Sequence, residues 1–184
     1  MTEKETQIYN AALDFTRRKH AGQFRKGGDP YVTHPIAVAE TLREWGYGLE
    51  WQLAGLFHDL LEDTDATEEE LKALGGERVL ETVKKVTKAK DYDMNEYVRE
   101  IKADPMAAAV KAADRLHNLR CAVVTDDEFK RRYVWETIDF YLDLPHGDEI
   151  AKAAVALRKT MNRHITELPM TYKPSPRGLF VSEG

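Results

Sequence analysis

Four ionisable side chains interrupt an apolar stretch of the sequence, in the run His58-Asp59-Leu60-Leu61-Glu62-Asp63. The apolar residues before and within this run predict a buried helix from about Glu50 to Asp63. Because residues four apart share a helical face, we expect His58 to stack on Glu62 and Asp59 on Asp63. Burying such groups unpaired is costly, and a divalent cation would turn their mutual repulsion into coordination. The run therefore indicates a metal site.

Two residues elsewhere could complete this site. His34 precedes Pro35, which is well placed as the first residue of another helix, and Asp114 lies among small apolar residues in a further helix. Together, the side chains of His34, His58, Asp59 and Asp114 would supply harder donor atoms, nitrogen and oxygen, than the sulfur of a thiolate site. Such a set suits Mn²⁺, Fe²⁺, Zn²⁺ or Mg²⁺.

Each of these residues also has a structural interpretation. The alternatives are a hydrogen bond between His58 and Asp59, an ion pair of Asp114 with Lys111 or Arg115, and a helix cap at His34. The spacing offers no partner for His20 or His117, which we expect to be satisfied structural histidines. Arg25 and Lys26 lie in a glycine-rich loop, where charge often serves only solubility.

The elements that must position these residues are helical, and no alternating pattern predicts a sheet of several strands. We therefore expect an all-α fold with a loop from Gly22 to Pro35. The first predicted helices run from about Glu5 to His20, Ile36 to Trp45, Glu50 to Asp63, and Thr67 (which forms a capping box with Glu70) to Leu74. The next follows Leu74 and ends near Thr87. The last three run from the Asp104-Pro105 pair to about Val124, from Asp127 to Leu142, and from Asp148 to Ile165.

The composition restricts the classes of function. The 184 residues correspond to one domain, and 27 basic against 32 acidic residues give a net charge of −5, which disfavours nucleic-acid or membrane binding. The single cysteine, Cys121, is typical of a reducing compartment, so we expect a cytoplasmic protein. The polar N-terminus lacks the pattern of a signal peptide, and no apolar run approaches the roughly 18 residues of a membrane span.

Several stretches, in this order, resemble one enzyme family. They are His20-Ala21-Gly22-Gln23-Phe24-Arg25-Lys26, Pro30-Tyr31-Val32-Thr33-His34-Pro35, His58-Asp59-Leu60-Leu61-Glu62-Asp63-Thr64, Val86-Thr87-Lys88 and Lys111-Ala112-Ala113-Asp114-Arg115-Leu116-His117-Asn118. The chain resembles the HD superfamily of metal-dependent phosphohydrolases, which are helical bundles. More narrowly, it is similar to the hydrolase domain of RelA/SpoT homologues, which removes pyrophosphate from the 3′ position of ppGpp and pppGpp.

The resemblance implies roles for individual residues. It implies that His34, His58, Asp59 and Asp114 bind the metal, usually Mn²⁺ in this family. It also implies that Glu62 and Asp63 orient or deprotonate the attacking water. The residues it assigns to the nucleotide substrate are Arg25, Lys26, Asn118 and Tyr133.

The resemblance also gives an expected domain organisation. We expect a hydrolase domain over residues 1–167 and a proline-containing tail, extended or disordered, over residues 168–184. The chain ends where longer relatives continue into a synthetase domain, so we expect degradation of the alarmone without synthesis. From the resemblance we expect Thr in many relatives at the position of Cys121.

Two other functions stay open at this point. One is an HD-type phosphatase acting on another small nucleotide, such as NADPH or a nucleoside monophosphate. The other is a nucleotide-sensing module without catalysis, against which the presence of both Glu62 and Asp63 argues. No feature of the sequence predicts an oligomeric state.

Overall fold

The computed structural model describes residues 1–162 and the backbone of residues 182–183, and it confirms the predicted all-α class. The helices are α1 (Glu3–Lys19), α2 (Thr33–Glu44), α3 (Leu49–Phe57), α4 (Leu60–Asp63), α5 (Glu68–Gly75), α6 (Glu77–Val86), α7 (Met94–Lys102), α8 (Pro105–Cys121), α9 (Asp127–Phe140) and α10 (Gly147–Arg158). A 3₁₀ turn, Ala122–Val124, follows α8.

Local capping sets several helix boundaries. The predicted capping box is present, with the Thr67 hydroxyl accepting from the Glu70 amide at 3.2 Å and the Glu70 carboxylate accepting from the Thr67 amide at 2.9 Å. Asp104 caps α8 by accepting from the amide of Met106 at 3.0 Å. Pro105 fits the first turn because it has no amide hydrogen to leave unpaired.

The predicted helix from Glu50 to Asp63 is wrong as a single element, because the chain breaks between α3 and α4 at His58 and Asp59. In a continuing helix the Gly55 carbonyl would accept the Asp59 amide. Here it accepts Nδ1–H of the His58 ring at 2.7 Å instead. The His58 side chain thus takes the backbone acceptor that would otherwise continue the helix.

Other boundaries also differ from the sequence prediction. Helix α2 begins at Thr33, two residues before Pro35, and α10 ends at Arg158 and not near Ile165. The helix α7 was not predicted. Its signals are an Asp93 side chain that caps the helix and buried apolar residues at helical spacing, namely Met94, Tyr97, Val98 and Ile101.

The helix α8 lies at the centre of the bundle, against α2, α3, α6, α7 and α10. Helices α2 and α3 cross closely at Gly55, where an added Cβ would lie 2.8 Å from Leu42 Cδ1 and 3.3 Å from the Ala39 backbone. Only glycine leaves room for this approach, so the residue that orients His58 also fixes the spacing between the two helices.

Two short strands pair at the edge of the bundle. Strand β1 (Gln23–Phe24) pairs antiparallel with β2 (Ser182–Glu183), with Gln23 opposite Glu183. The boundary expected at residue 167 and most of the expected tail, residues 168–184, lie outside the described residues. None of the described helices is long and apolar enough to cross a membrane.

Candidate metal centre

Four donor atoms from three parts of the chain converge on one point. His34 is the second residue of α2, His58 and Asp59 form the joint between α3 and α4, and Asp114 lies in the middle of α8. His34 Nε2 lies 3.1 Å from His58 Nε2, 3.5 Å from Asp59 Oδ2 and 3.2 Å from Asp114 Oδ1. His58 Nε2 lies 3.1 Å from Asp59 Oδ2 and 3.7 Å from Asp114 Oδ1.

The outer nitrogen of each imidazole is held by a protein group. His58 Nδ1–H donates to the Gly55 carbonyl, so a neutral His58 ring carries its lone pair on Nε2, toward the other donors. His34 Nδ1 lies 2.8 Å from His117 Nδ1. Outer hydrogen bonds of this kind fix the tautomer and orientation of metal-binding histidines.

The two carboxylates are oriented in the same manner. The Tyr31 hydroxyl donates to Asp59 Oδ2 at 2.6 Å. The Lys111 ammonium donates to Asp114 Oδ2 at 2.8 Å, and the Asn118 amide donates to Asp114 Oδ1 at 2.6 Å. Because Lys111 holds the far oxygen of Asp114, the near oxygen faces the imidazoles.

The electrostatics of the cluster match a cation site. Burial lowers the pKa of His34 to about 4, whereas for His58 the Asp59 and Asp114 carboxylates outweigh burial and raise the pKa to about 10. Against the effect of burial, Lys111 and the two histidines hold the pKa of Asp114 well below its usual value. Without an ion, the raised pKa means that His58 holds a proton near neutral pH, which metal binding would displace. Deprotonated imidazoles and carboxylates are the donors that borderline divalent metals take, so the residues present fit such an ion.

The structure separates the carboxylates of Glu62 and Asp63. Glu62 Oε2 accepts the Lys88 backbone amide at 3.0 Å, so Glu62 is directed toward the segment after α6. The Asp63 Oδ2 atom lies 3.4 Å from the Tyr31 hydroxyl. Burial, with the nearby Asp59 and Glu62 carboxylates, raises the pKa of Asp63 to about 7. The predicted stacking on one continuous helical face is replaced by these contacts.

Arg25 and Asn118 connect the loop after β1 to the donors. Arg25 is 5% exposed, and its Nη2 donates to Asn118 Oδ1 at 2.9 Å while the Asn118 amide donates to Asp114. The exposed Lys26 places Nζ 5.1 Å from the centroid of the Phe129 ring. Beside them is a cavity of about 140 Å³, lined by Arg25, Lys26, Gly27, Asp29, Cys121, Val123 and Val124.

Tyr133 does not line this cavity. It is buried in the bundle, where the guanidinium carbon of Arg115 lies 3.8 Å from the centroid of its ring. The structure therefore brings together only some of the ten predicted site residues. The four predicted metal ligands converge, and Asn118 and Arg25 are hydrogen-bonded to them in series through Asp114. Tyr133 packs on Arg115 instead.

Sequence reasoning missed two residues that support the donors. They are Tyr31 and His117, whose partners lie 28 and 83 residues away, beyond the reach of helical spacing. The sequence itself offers the ion pair of Lys111 with Asp114 as an alternative, since residues three apart lie on one helical face, and in the structure this pair holds Asp114. His117, expected to be a satisfied structural histidine, has in His34 a partner that the spacing could not name.

The fold and the donor set define a helical bundle built around a divalent-metal site. The HD domain family matches residues 12–150, and this chain belongs to that family. Membership implies a divalent metal, for which the His34, His58 and Asp59 donor atoms lie within 4.8 Å of one another.

Relatives of known name lie close in sequence and structure. The chain is 40% identical over 143 residues to the guanosine-3′,5′-bis(diphosphate) 3′-pyrophosphohydrolase of Aquifex aeolicus, covering 73% of this chain and 20% of the relative. It is 35% identical over 157 residues to the bifunctional (p)ppGpp synthase/hydrolase SpoT of Escherichia coli, covering 79% of this chain and 22% of the relative. The chain thus spans about one fifth of the length of these curated relatives.

A solved structure resembles the fold over most of both chains. It is described as a metazoan ortholog of SpoT that hydrolyzes ppGpp and plays a role in starvation responses. The TM-score is 0.63 at 26% sequence identity, covering 86% of this chain and 93% of that one.

Proposed function

We propose that this chain is a metal-dependent 3′-pyrophosphohydrolase that converts ppGpp and pppGpp to GDP and GTP. The observation that carries the proposal is the convergence of His34, His58, Asp59 and Asp114, with the carboxylates of Glu62 and Asp63 on the next short helix. The names of the Aquifex and Escherichia relatives and of the metazoan structure support the choice of substrate.

We assign the metal to His34, His58, Asp59 and Asp114, and we propose that it is Mn²⁺. Mn²⁺ accepts both imidazole nitrogen and carboxylate oxygen, and a site without thiolates does not select a softer ion. Bound there, a divalent ion would supply Lewis acidity, which polarises a phosphoryl oxygen and makes a nearby water more acidic.

The carboxylates of α4 provide the proton transfer in this scheme. Asp63, held near Asp59 through Tyr31, accepts a proton from the attacking water, while Glu62 holds the water in line. The water oxygen attacks the phosphorus attached to O3′, the bond from that phosphorus to O3′ breaks, and O3′ takes up a proton. Pyrophosphate leaves from the ribose.

The nucleotide is held on the side of the loop after β1. Arg25 and Lys26 line the cavity of about 140 Å³ and carry positive charge for the base and phosphates. Asn118 lies between Arg25 and Asp114, so it joins the nucleotide side of the site to the donors. Tyr133 acts in this proposal through Arg115, on which it packs.

We further propose that the protein acts in the cytoplasm on small nucleotides and not on nucleic acid. The single cysteine suits a reducing compartment. The net charge of −5 disfavours binding to nucleic acid, because a phosphate backbone is bound through a broad positive surface.

The test is release of phosphate and pyrophosphate by the purified protein with Mn²⁺. The substrates are ppGpp, pppGpp, NADPH and nucleoside monophosphates, each with and without EDTA. We expect EDTA-sensitive release of pyrophosphate from ppGpp and pppGpp alone. Release of inorganic phosphate from one of the other compounds would identify that compound, and not the alarmone, as the substrate. Tight ppGpp binding without metal or turnover would identify a nucleotide-sensing protein.

A further inference from the structure

The ammonium of Lys88 is a half-buried positive charge without an ion pair among the described residues. Its Nζ lies 5.2 Å from the centroid of the Tyr92 ring and 5.8 Å from that of Tyr97. The neighbouring cations are both paired, Lys111 with Asp114 at 2.8 Å and Arg115 with Glu136 at 2.7 Å. The segment between α6 and α7 therefore carries, at Lys88, a half-buried positive charge that forms no ion pair with a described carboxylate.

This charge lies beside the candidate site. The backbone amide of Lys88 donates to Glu62 Oε2 at 3.0 Å. The Nζ atoms of Lys88 and Lys111 lie 5.8 Å and 5.9 Å from the centroid of the same Tyr97 ring, and Lys111 holds Asp114. The Lys88 backbone thus contacts Glu62, and its ammonium lies near the same Tyr97 ring as the lysine that holds Asp114.

Two further observations favour an anionic ligand at this place. Burial and the nearby Lys111 lower the pKa of Lys88 to about 8, although the Glu136 and Glu62 carboxylates act in the opposite direction, so these carboxylates compensate the ammonium only in part. The Tyr92 hydroxyl is buried and has no hydrogen-bond partner among the described residues. A buried donor of this kind is costly unless a ligand accepts from it.

We propose that the Lys88 ammonium and the Tyr92 hydroxyl bind oxygen atoms of the diphosphate that the reaction releases. A diphosphate offers several charged acceptors, so it can neutralise the ammonium and accept from the phenol together. The identity of this diphosphate as the 3′ group of the nucleotide rests on the proposed function. Binding at Lys88 would hold the leaving group beside Glu62, and free pyrophosphate would compete for the same place.

The test measures binding of inorganic pyrophosphate to the Mn²⁺-loaded protein by calorimetry, and inhibition of ppGpp hydrolysis by pyrophosphate. Loss of a charge-assisted hydrogen bond weakens binding by about tenfold or more. We expect Lys88→Met to raise the pyrophosphate Kd and inhibition constant by that factor and to leave the Kd for GDP within about twofold. Lys88→Arg should recover much of the loss, and Tyr92→Phe should weaken pyrophosphate binding about threefold.

The matched control is Lys90→Met, which removes an exposed lysine two residues away and should bind pyrophosphate as the unaltered protein does. Thermal unfolding and metal content check that each variant is intact, and Tyr92→Phe decides the question if Lys88→Met does not fold. Unchanged pyrophosphate binding in a folded, metal-loaded Lys88 variant would overturn the proposal. Absence of ppGpp turnover in the unaltered protein would refute the proposed function and leave the pyrophosphate measurement interpretable.

Discussion

The Tyr31 hydroxyl donates a hydrogen bond of 2.6 Å to Asp59 and lies 3.4 Å from Asp63. One phenol therefore joins a candidate metal ligand to a candidate catalytic carboxylate. Burial, with these two carboxylates, raises the pKa of Tyr31 well above its usual value, so the phenol remains a donor.

Replacing Tyr31 by Phe should weaken Mn²⁺ binding by about tenfold, because Asp59 loses the group that orients it. Calorimetric titration of the metal-free protein with Mn²⁺ measures this change. Tyr47→Phe is the matched control, since Tyr47 stacks on Trp51 away from the donors. Equal Mn²⁺ affinity in the Tyr31 and Tyr47 variants would show that the phenol does not support the metal site.

Removing the α4 carboxylates should abolish catalysis and spare metal binding. We expect Asp63→Asn and Glu62→Gln each to lower kcat for ppGpp by about a hundredfold or more, as loss of a positioned acid or base does. Bound Mn²⁺ per chain and the unfolding temperature should stay unchanged. Glu69→Gln, an exposed residue of the α5 first turn, serves as the control. Undiminished turnover in a Glu62→Ala, Asp63→Ala double variant would remove both residues from the mechanism.

Metal removal should lower the unfolding temperature. The proposed ligands connect α2, the α3–α4 joint and α8, so an ion bound to them stabilises the folded state alone. At a hundredfold excess over Kd the gain is about 2.7 kcal/mol, or about 5–10 °C for a domain of this size. Differential scanning calorimetry with Mn²⁺ and with EDTA measures the difference. In His58→Gln the two scans should coincide; a full Mn²⁺ shift there would exclude His58 as a ligand.

Asp104 should make a pH-dependent contribution to stability that is independent of the metal. It accepts from Arg78 Nη1 at 2.8 Å and from Lys85 Nζ at 2.6 Å, and it caps α8. Arg78 and Lys85 hold its pKa below the usual value, against the effect of burial. Because the folded pKa is lower than the unfolded one, the stabilisation is fully present above about pH 4 and is lost as the pH falls through the folded pKa.

We therefore expect Asp104→Ala to lower the free energy of unfolding by about 2 kcal/mol at pH 7. Asp104→Asn keeps a capping oxygen and should cost less. Urea unfolding at pH 7 and at pH 3 measures both effects, and the difference between the unaltered protein and Asp104→Asn should shrink at the lower pH. A constant difference would mean that the carboxylate charge contributes nothing.

Local signals in the sequence were sufficient for most helices. The Thr67 and Glu70 box and the Asp104-Pro105 pair act through the backbone next to them, so they fix helix starts without information from distant residues. The helix α7 carries equally local signals, beginning with the Asp93 cap, and the prediction missed it although they were present.

The break at His58 and Asp59 could not be predicted from periodicity. Apolar residues continue through it, and the helix ends because the His58 ring takes the Gly55 carbonyl. Similarly, the contacts of Tyr31 with Asp59 and of His117 with His34 join residues far apart in sequence. Such pairs depend on how helices cross, which no local pattern specifies.

The separation of α3 from α4 has a mechanical consequence. Helix α3 is wedged against α2 at Gly55, whereas α4 has only four residues, of which Leu60 is buried. His58 therefore stands at the end of the wedged helix, and Glu62 and Asp63 stand on the short one. In the proposed mechanism, a rotation of α4 would redirect the two carboxylates without moving His58.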